Sequence, residues 1–231
     1  MSDLREILRS LPLVRAANNQ MNFYRGLRRG SFSQHGEDAY VLNAFGSRGV
    51  YVDVGANDPH RLSNTYALYR AGWRGLTIEP IRSLVDRHKK LRPHDKQVLA
   101  GVGVTDGVAA SFHELDPHVL STFDEVTARA YIEAGLAKPL ATYDVPIRRL
   151  STLIDEAGFV DIDLLSVDVE GYELETLSGL DFERHRPRMI ILEALSAVGE
   201  NQKAGQVREL LAENRFEMVD RLGANEVYRP I

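Results

Sequence analysis

Cysteine is absent from the 231 residues, which rules out disulfides, thiolate metal sites and cysteine nucleophiles. Any metal ligands must then be carboxylates, histidines or backbone oxygens. No apolar run is long enough to span a bilayer, and the chain starts with Asp3, Arg5 and Glu6, where a secretory leader would carry a basic start and an apolar core. A cytoplasmic protein without a membrane span is expected. Positive charge is scarce: a net charge of -5 and a pI near 5.8 argue against nucleic acid as the partner. The first thirty residues run the other way, with six arginines against Asp3 and Glu6. That basic stretch suits a solvated helical face, and an anionic substrate, a membrane surface or a partner subunit are its other possible takers. Internal repeats, low-complexity segments and linkers are also missing.

What is present supports one α/β domain, since 44% of the residues are hydrophobic, enough for a sizeable core. Leu4, Ile7, Leu8 and Leu11 keep helical spacing, so residues 3–11 read as an amphipathic helix ended by Pro12. This extension over residues 1–30 would pack on the main body or pair two subunits into a homo-oligomer. Residues 39–45 read as a helix with Glu37 and Asp38 at its start. Val50–Val54 reads as a strand running into a turn at Gly55. A helix over 64–71, a strand at Leu76–Ile78, a helix over 81–91 and a strand at Val98–Val102 complete the first half of a doubly wound sheet.

Beyond it the pattern loosens. Ala109–Glu114 and Val145–Ile147 read as strands, Leu120–Thr122 as a loop and 124–134 as a helix, so about 103–145 is expected to be a substrate-side insertion. The spacing then predicts a helix over 151–157, strands at Ile162–Asp168 and Met189–Glu193, a helix after Gly171 and another over 202–214. Strands at Phe216–Asp220 and Glu226–Arg229 would close the sheet as an antiparallel hairpin.

Four of these strands end in acids: Asp53, Glu79, Asp168 and Glu193. Parallel strands bring such ends to one rim, where crowded carboxylates need a cation, a hydroxyl or backbone donors to compensate them. Pairing with Arg74, Arg82 or Arg148, or helix capping, is the structural alternative. Glu79 stands where Rossmann-type folds place an acid on ribose hydroxyls. The first turn has Gly55 alone in place of G-x-G-x-x-G, which leaves a pyrophosphate without a cradle. A ligand with a ribose and positive charge but no phosphate fits better, and S-adenosylmethionine is one.

The ordered set Ser33-Gln34-His35-Gly36-Glu37-Asp38, Val52-Asp53-Val54-Gly55-Ala56-Asn57-Asp58-Pro59, Ser63-Asn64-Thr65, Gly72 to Pro80, Leu120-Ser121-Thr122 and Val167 to Glu173 resembles the FkbM family of S-adenosylmethionine-dependent methyltransferases over roughly residues 31–195. The resemblance implies a class I methyltransferase Rossmann-like fold over 31–231: a mostly parallel seven-stranded sheet with helices on both faces. It implies methyl transfer to a hydroxyl of a sugar, glycan or glycosylated natural product. Carried over by position, Asp53, Gly55, Ala56 and Asn57 would form the cofactor turn, and Glu79 with Pro80 the ribose site. Gln34, Glu37 and Asp38 would lie over the methionine part or the mouth of the site, Ser63 and Asn64 would border the transferable methyl, and Asp168, also beside the cofactor, would stand with Glu170 where the acceptor is deprotonated or a metal is held.

In-line transfer to a hydroxyl needs alignment and a proton acceptor. Asp168, crowded by Glu170, is the first candidate, with His35 and His60 as rivals. Alternatively Asp168, Glu193 and Glu170 would hold magnesium or calcium, which suits an all-oxygen ligand set. His113 and His118 lie where an acceptor would enter, His88, His94 and His185 read as surface residues, and Trp73 reads as packing. Arg148 and Arg149 would flank a helix or bind an acidic sugar. A nicotinamide-dependent oxidoreductase and a non-catalytic nucleoside-binding module are the competing readings.

Overall fold

The computed structural model describes residues 31–196, 199, 200 and 202–231. The helix expected over residues 3–11, and any subunit pairing through it, lie outside them. The chain forms α1 (Glu37–Phe45), β1 (Val50–Val54), α2 (Tyr66–Ala71), β2 (Arg74–Glu79), α3 (Arg82–Leu91), β3 (Lys96–Leu99) and β4 (Gly101–Val102). It continues with β5 (Val108–Asp116), a short 3-10 turn (His118–Leu120), α4 (Glu125–Glu133), β6 (Lys138–Arg148), α5 (Leu150–Ala157), β7 (Leu164–Val167), α6 (Glu173–Ser178) and β8 (Ile190–Glu193). The last elements are β9 (Leu195–Ser196), β10 (Gly199–Glu200), α7 (Ala204–Glu213), β11 (Phe216–Leu222) and β12 (Asn225–Pro230).

Seven strands form the main sheet in the order β11-β12-β8-β7-β1-β2-β3, with β12 antiparallel to both neighbours and the other pairs parallel. The chain leaves β1 towards β2 on one side and returns through β7 on the other, so β1 sits at the switch point where open α/β sheets take their ligands. Strand alternation sorts its side chains. Val52 and Val54 enter a core with Leu76, Ile78, Leu165, Val167, Leu153 and Leu211, while Tyr51 faces Val41, Leu68 and Trp73. Each such buried aliphatic side chain contributes about 1.5–3 kcal/mol. Trp73 is fully buried and donates its Nε1–H to the Gly46 carbonyl at 3.0 Å, the packing role its sequence position suggests. Among the described residues no helix is long and apolar enough to cross a membrane.

Two elements differ from the sequence reading. Val98–Val102 is not one strand: Lys96–Leu99 pairs with β2, whereas Gly101 and Val102 pair with Ile147 and Arg148 in a second, three-stranded sheet of order β4-β6-β5. Gly101 permits the change of sheet, since a Cβ there would lie 2.4 Å from the Phe123 ring and 2.6 Å from Ile147. Strand β6 is also far longer than Val145–Ile147. Its first half, from Lys138 to Thr142, is exposed and carries no apolar alternation, so pairing with β5 defines it.

Candidate active site

A cavity of about 1110 Å³ opens at the carboxyl ends of β1, β2, β7 and β8, under the β5–α4 segment. Its volume is at the upper end of the range of small-molecule and cofactor sites. Its first wall is the turn after β1. Gly55 has φ 74, and a Cβ on it would lie 1.8 Å from the Asp168 carbonyl oxygen, so only glycine lets the β1 and β7 ends meet this closely. The N–H groups of Gly55 and Ala56 donate to the Ile78 carbonyl at 3.0 and 3.2 Å, which ties the turn to β2.

Glu79 ends β2 beside that turn. Its carboxylate accepts from the N–H groups of Asn57 and Ile81, both at 2.9 Å, which aims it at the cavity. Burial raises its pKa to about 7 against those two donors. Asp53 also reaches the cavity, but its Oδ2 accepts from the Thr65 hydroxyl at 2.5 Å on the α2 side of the sheet. Burial raises Asp53, while Thr65 and the Arg92 charge pull it back. Arg92 is fully buried and donates to Ser63 Oγ, Thr65 Oγ1 and the Pro59 carbonyl. Ser63 and Asn64 line the cavity too, and Asn64 donates to Ser166 Oγ at 3.2 Å.

The opposite wall is acidic. Asp168, Glu170 and Glu193 each bring a carboxylate oxygen within 4.8 Å of the others. Burial raises Asp168 to about 7, with Glu173, Asp53 and Glu37 adding to the shift. Burial first and neighbouring acids second hold Glu170 and Glu193 well above the carboxylate range. Glu170 adopts φ 50, its carbonyl accepts from Thr122 Oγ1 at 2.8 Å, and its side chain accepts from the Tyr131 hydroxyl. Phe112, Phe123, Tyr172, Leu120 and Leu136 add apolar lining to the cavity; Phe112 and Phe123 pack with Ile81 and Leu84 just beyond Glu79, and the His118 carbonyl accepts from Asn57 Nδ2 at 3.4 Å.

The remaining expected residues divide. Gln34, His35 and Pro80 line the cavity. Glu37 and Asp38 do not: the first accepts from Asn225 Nδ2 and the His35 N–H, the second from Ser31, Phe32 and Ser33, so both fasten the segment before α1. His60 is no cavity residue either; its ring lies edge-on to Phe32 at 5.2 Å and Tyr66 at 5.0 Å. Arg148 pairs with Asp106 and Glu156 on the surface, away from the cavity. His88, expected at the surface, is 1% exposed. Its position four residues after Leu84 on the buried face of α3 is the signal that separates it from a solvated histidine.

A sheet of this order with one reversed strand and a cavity at its switch point is the class I methyltransferase fold. The model for the methyltransferase FkbM domain matches residues 53–218, and the chain belongs to that family of S-adenosylmethionine-dependent enzymes. Among solved structures, it is similar to a TehB-like SAM-dependent methyltransferase from Corynebacterium glutamicum, with 13% identity, 94% of this chain and 98% of that chain covered, and a TM-score of 0.47. It is also similar to the O-methyltransferase from Bacillus cereus in complex with SAH, with 13% identity, 92% and 87% coverage and a TM-score of 0.45. A third is the magnesium protoporphyrin IX methyltransferase from Synechocystis with bound SAM, with 12% identity, 84% and 76% coverage and a TM-score of 0.45. No curated protein matches the chain significantly by sequence.

Proposed function

We propose that the protein transfers a methyl group from S-adenosylmethionine to a hydroxyl of a sugar, glycan or glycoside, with Asp168 as the proton acceptor. The carrying observation is the group of Asp168, Glu170 and Glu193 with carboxylate oxygens within 4.8 Å of one another in the cavity wall. The lining suits the cofactor: carboxylates at Asp53 and Glu79 favour a cationic ligand, and Glu79 keeps acceptor capacity for ribose hydroxyls. When bound, S-adenosylmethionine supplies an electrophilic methyl carbon on a sulfonium.

Glu79 would hold the ribose, the Gly55–Asn57 turn would border the nucleoside, and Ser63 and Asn64 would flank the methionine end. The aromatic rings lining the cavity offer the acceptor apolar faces, while the carboxylates of the acid cluster orient its hydroxyls. Asp168, near pKa 7, is poised to take the hydroxyl proton as the bond to carbon forms. A second reading rests on the same three acids, which offer an all-oxygen set for magnesium or calcium. Such an ion would lower the hydroxyl pKa, and loss of turnover in EDTA with recovery in magnesium marks that case.

The test is methyl transfer from labelled S-adenosylmethionine to a panel of glycosides. At least one member should gain the label, and Asp168→Asn should lower its turnover by about 10²–10⁴-fold. Unaltered turnover in that variant would exclude Asp168, and label on a nitrogen or carbon would exclude hydroxyl transfer.

A further inference from the structure

The ribose-facing acid is held by a turn whose backbone is itself unusual. Asn57 adopts φ 45, a left-handed conformation that asparagine tolerates better than other side chains, and its Oδ1 accepts from the next N–H at 2.7 Å. Its N–H donates to Glu79 Oε2 at 2.9 Å, and its carbonyl lies 2.9 Å from Nε2 of His88, on α3. A carbonyl oxygen only accepts, so Nε2 carries the hydrogen and donates. Arg87, the preceding residue, pairs with Asp58 at 2.7 Å, and Asp58 Oδ1 in turn accepts from the N–H groups of His60 and Arg61. Helix α3 thus grips the turn at two successive residues.

We infer that His88 is a positioning residue for the cofactor: its ring N–H fixes the Asn57 carbonyl, and through the Asn57 peptide it fixes the carboxylate of Glu79 that receives the ribose. The geometry of three groups carries this: a fully buried donor, a peptide held in a left-handed turn and a buried acid joined by successive hydrogen bonds. Burial and the nearby Arg92 charge lower the His88 pKa to about 4, so the ring stays neutral and keeps one donor nitrogen. The inference rests on the reading that Glu79 holds the ribose.

Calorimetric titration of S-adenosylhomocysteine into the full chain tests it. Variants His88→Leu, His88→Gln and Glu79→Gln are measured with the His88→Leu/Glu79→Gln double variant. His88→Leu should weaken binding by about tenfold, and His88→Gln, whose carboxamide still donates, should stay within about threefold of the parent. Glu79→Gln should weaken binding at least as much as His88→Leu, and the double variant no further than Glu79→Gln alone. Losses that multiply in the double variant, or a His88→Leu that binds like the parent, overturn the His88 assignment. A Glu79→Gln that binds like the parent overturns the ribose reading and the inference with it. Where leucine prevents folding, His88→Met fills the same space without a donor and is held to the same outcomes.

Discussion

At Gly55 the backbone turns with φ 74, and any side chain would collide with the Asp168 carbonyl oxygen at 1.8 Å. Gly55→Ala should therefore cost at least about 1–3 kcal/mol and separate the β1 and β7 ends, read as a lower urea midpoint together with loss of S-adenosylhomocysteine binding. Asp53, two residues earlier, is set in a different environment. It accepts from the Thr65 hydroxyl, whose oxygen in turn accepts from the fully buried Arg92, so Asp53→Ala leaves that buried hydroxyl without its acceptor and should destabilise by about 1–3 kcal/mol in denaturant titrations. An undiminished midpoint would contradict the Asp53–Thr65 bond. The acid at this strand end was legible in the sequence, because a lone carboxylate among β-branched residues before a glycine is rare company. Its partner was not, since Thr65 binds it and is itself held by Arg92 from the end of a helix farther along the chain. Glu37 and Asp38 carry the same lesson: their motif was readable, but the direction of their side chains depends on Asn225 and on the segment before α1.

The elements most readily found from sequence were those whose pattern is set locally. β1 and α1 to α3 show alternation or helical spacing closed by Gly46, Gly72 or a proline, and they lie close to their expected spans. The second sheet was hidden because long-range pairing defines it: exposed Lys138 to Thr142 are strand only through β5, and Gly101 changes sheets because Phe123 closes on it. The same sheet positions α4, which explains why Tyr131 was missed as a neighbour of Glu170. Tyr131 is fully buried and donates to the Glu170 carboxyl group. Tyr131→Phe should lower stability by about 1–3 kcal/mol, since a buried polar group then loses its partner, and an unchanged urea midpoint would contradict that bond.

Across the molecule, buried acids shape the response to pH. Asp168, Glu79 and Glu173 are all raised to about 7, and Glu170 and Glu193 lie well above their ordinary values. In the unfolded chain these groups release protons near 4, whereas the folded chain keeps them to about 7 or beyond, so their stabilising contribution fades as the pH rises through that interval. His88, lowered to about 4, works in the opposite sense as a single group. Thermal midpoints of the cofactor-free protein should fall from pH 5 to pH 8, less steeply in Glu173→Gln, and a rising midpoint would contradict the burial of these acids. The central claim is a division of labour along one cavity: Glu79 on the β2 end holds the cofactor, and Asp168 on the β7 end serves the acceptor. The direct test is S-adenosylhomocysteine affinity, measured side by side in Glu79→Gln and Asp168→Asn. The account predicts a loss of at least about tenfold in Glu79→Gln and a change of less than about threefold in Asp168→Asn. Full affinity in Glu79→Gln, or loss of binding in Asp168→Asn, would contradict it.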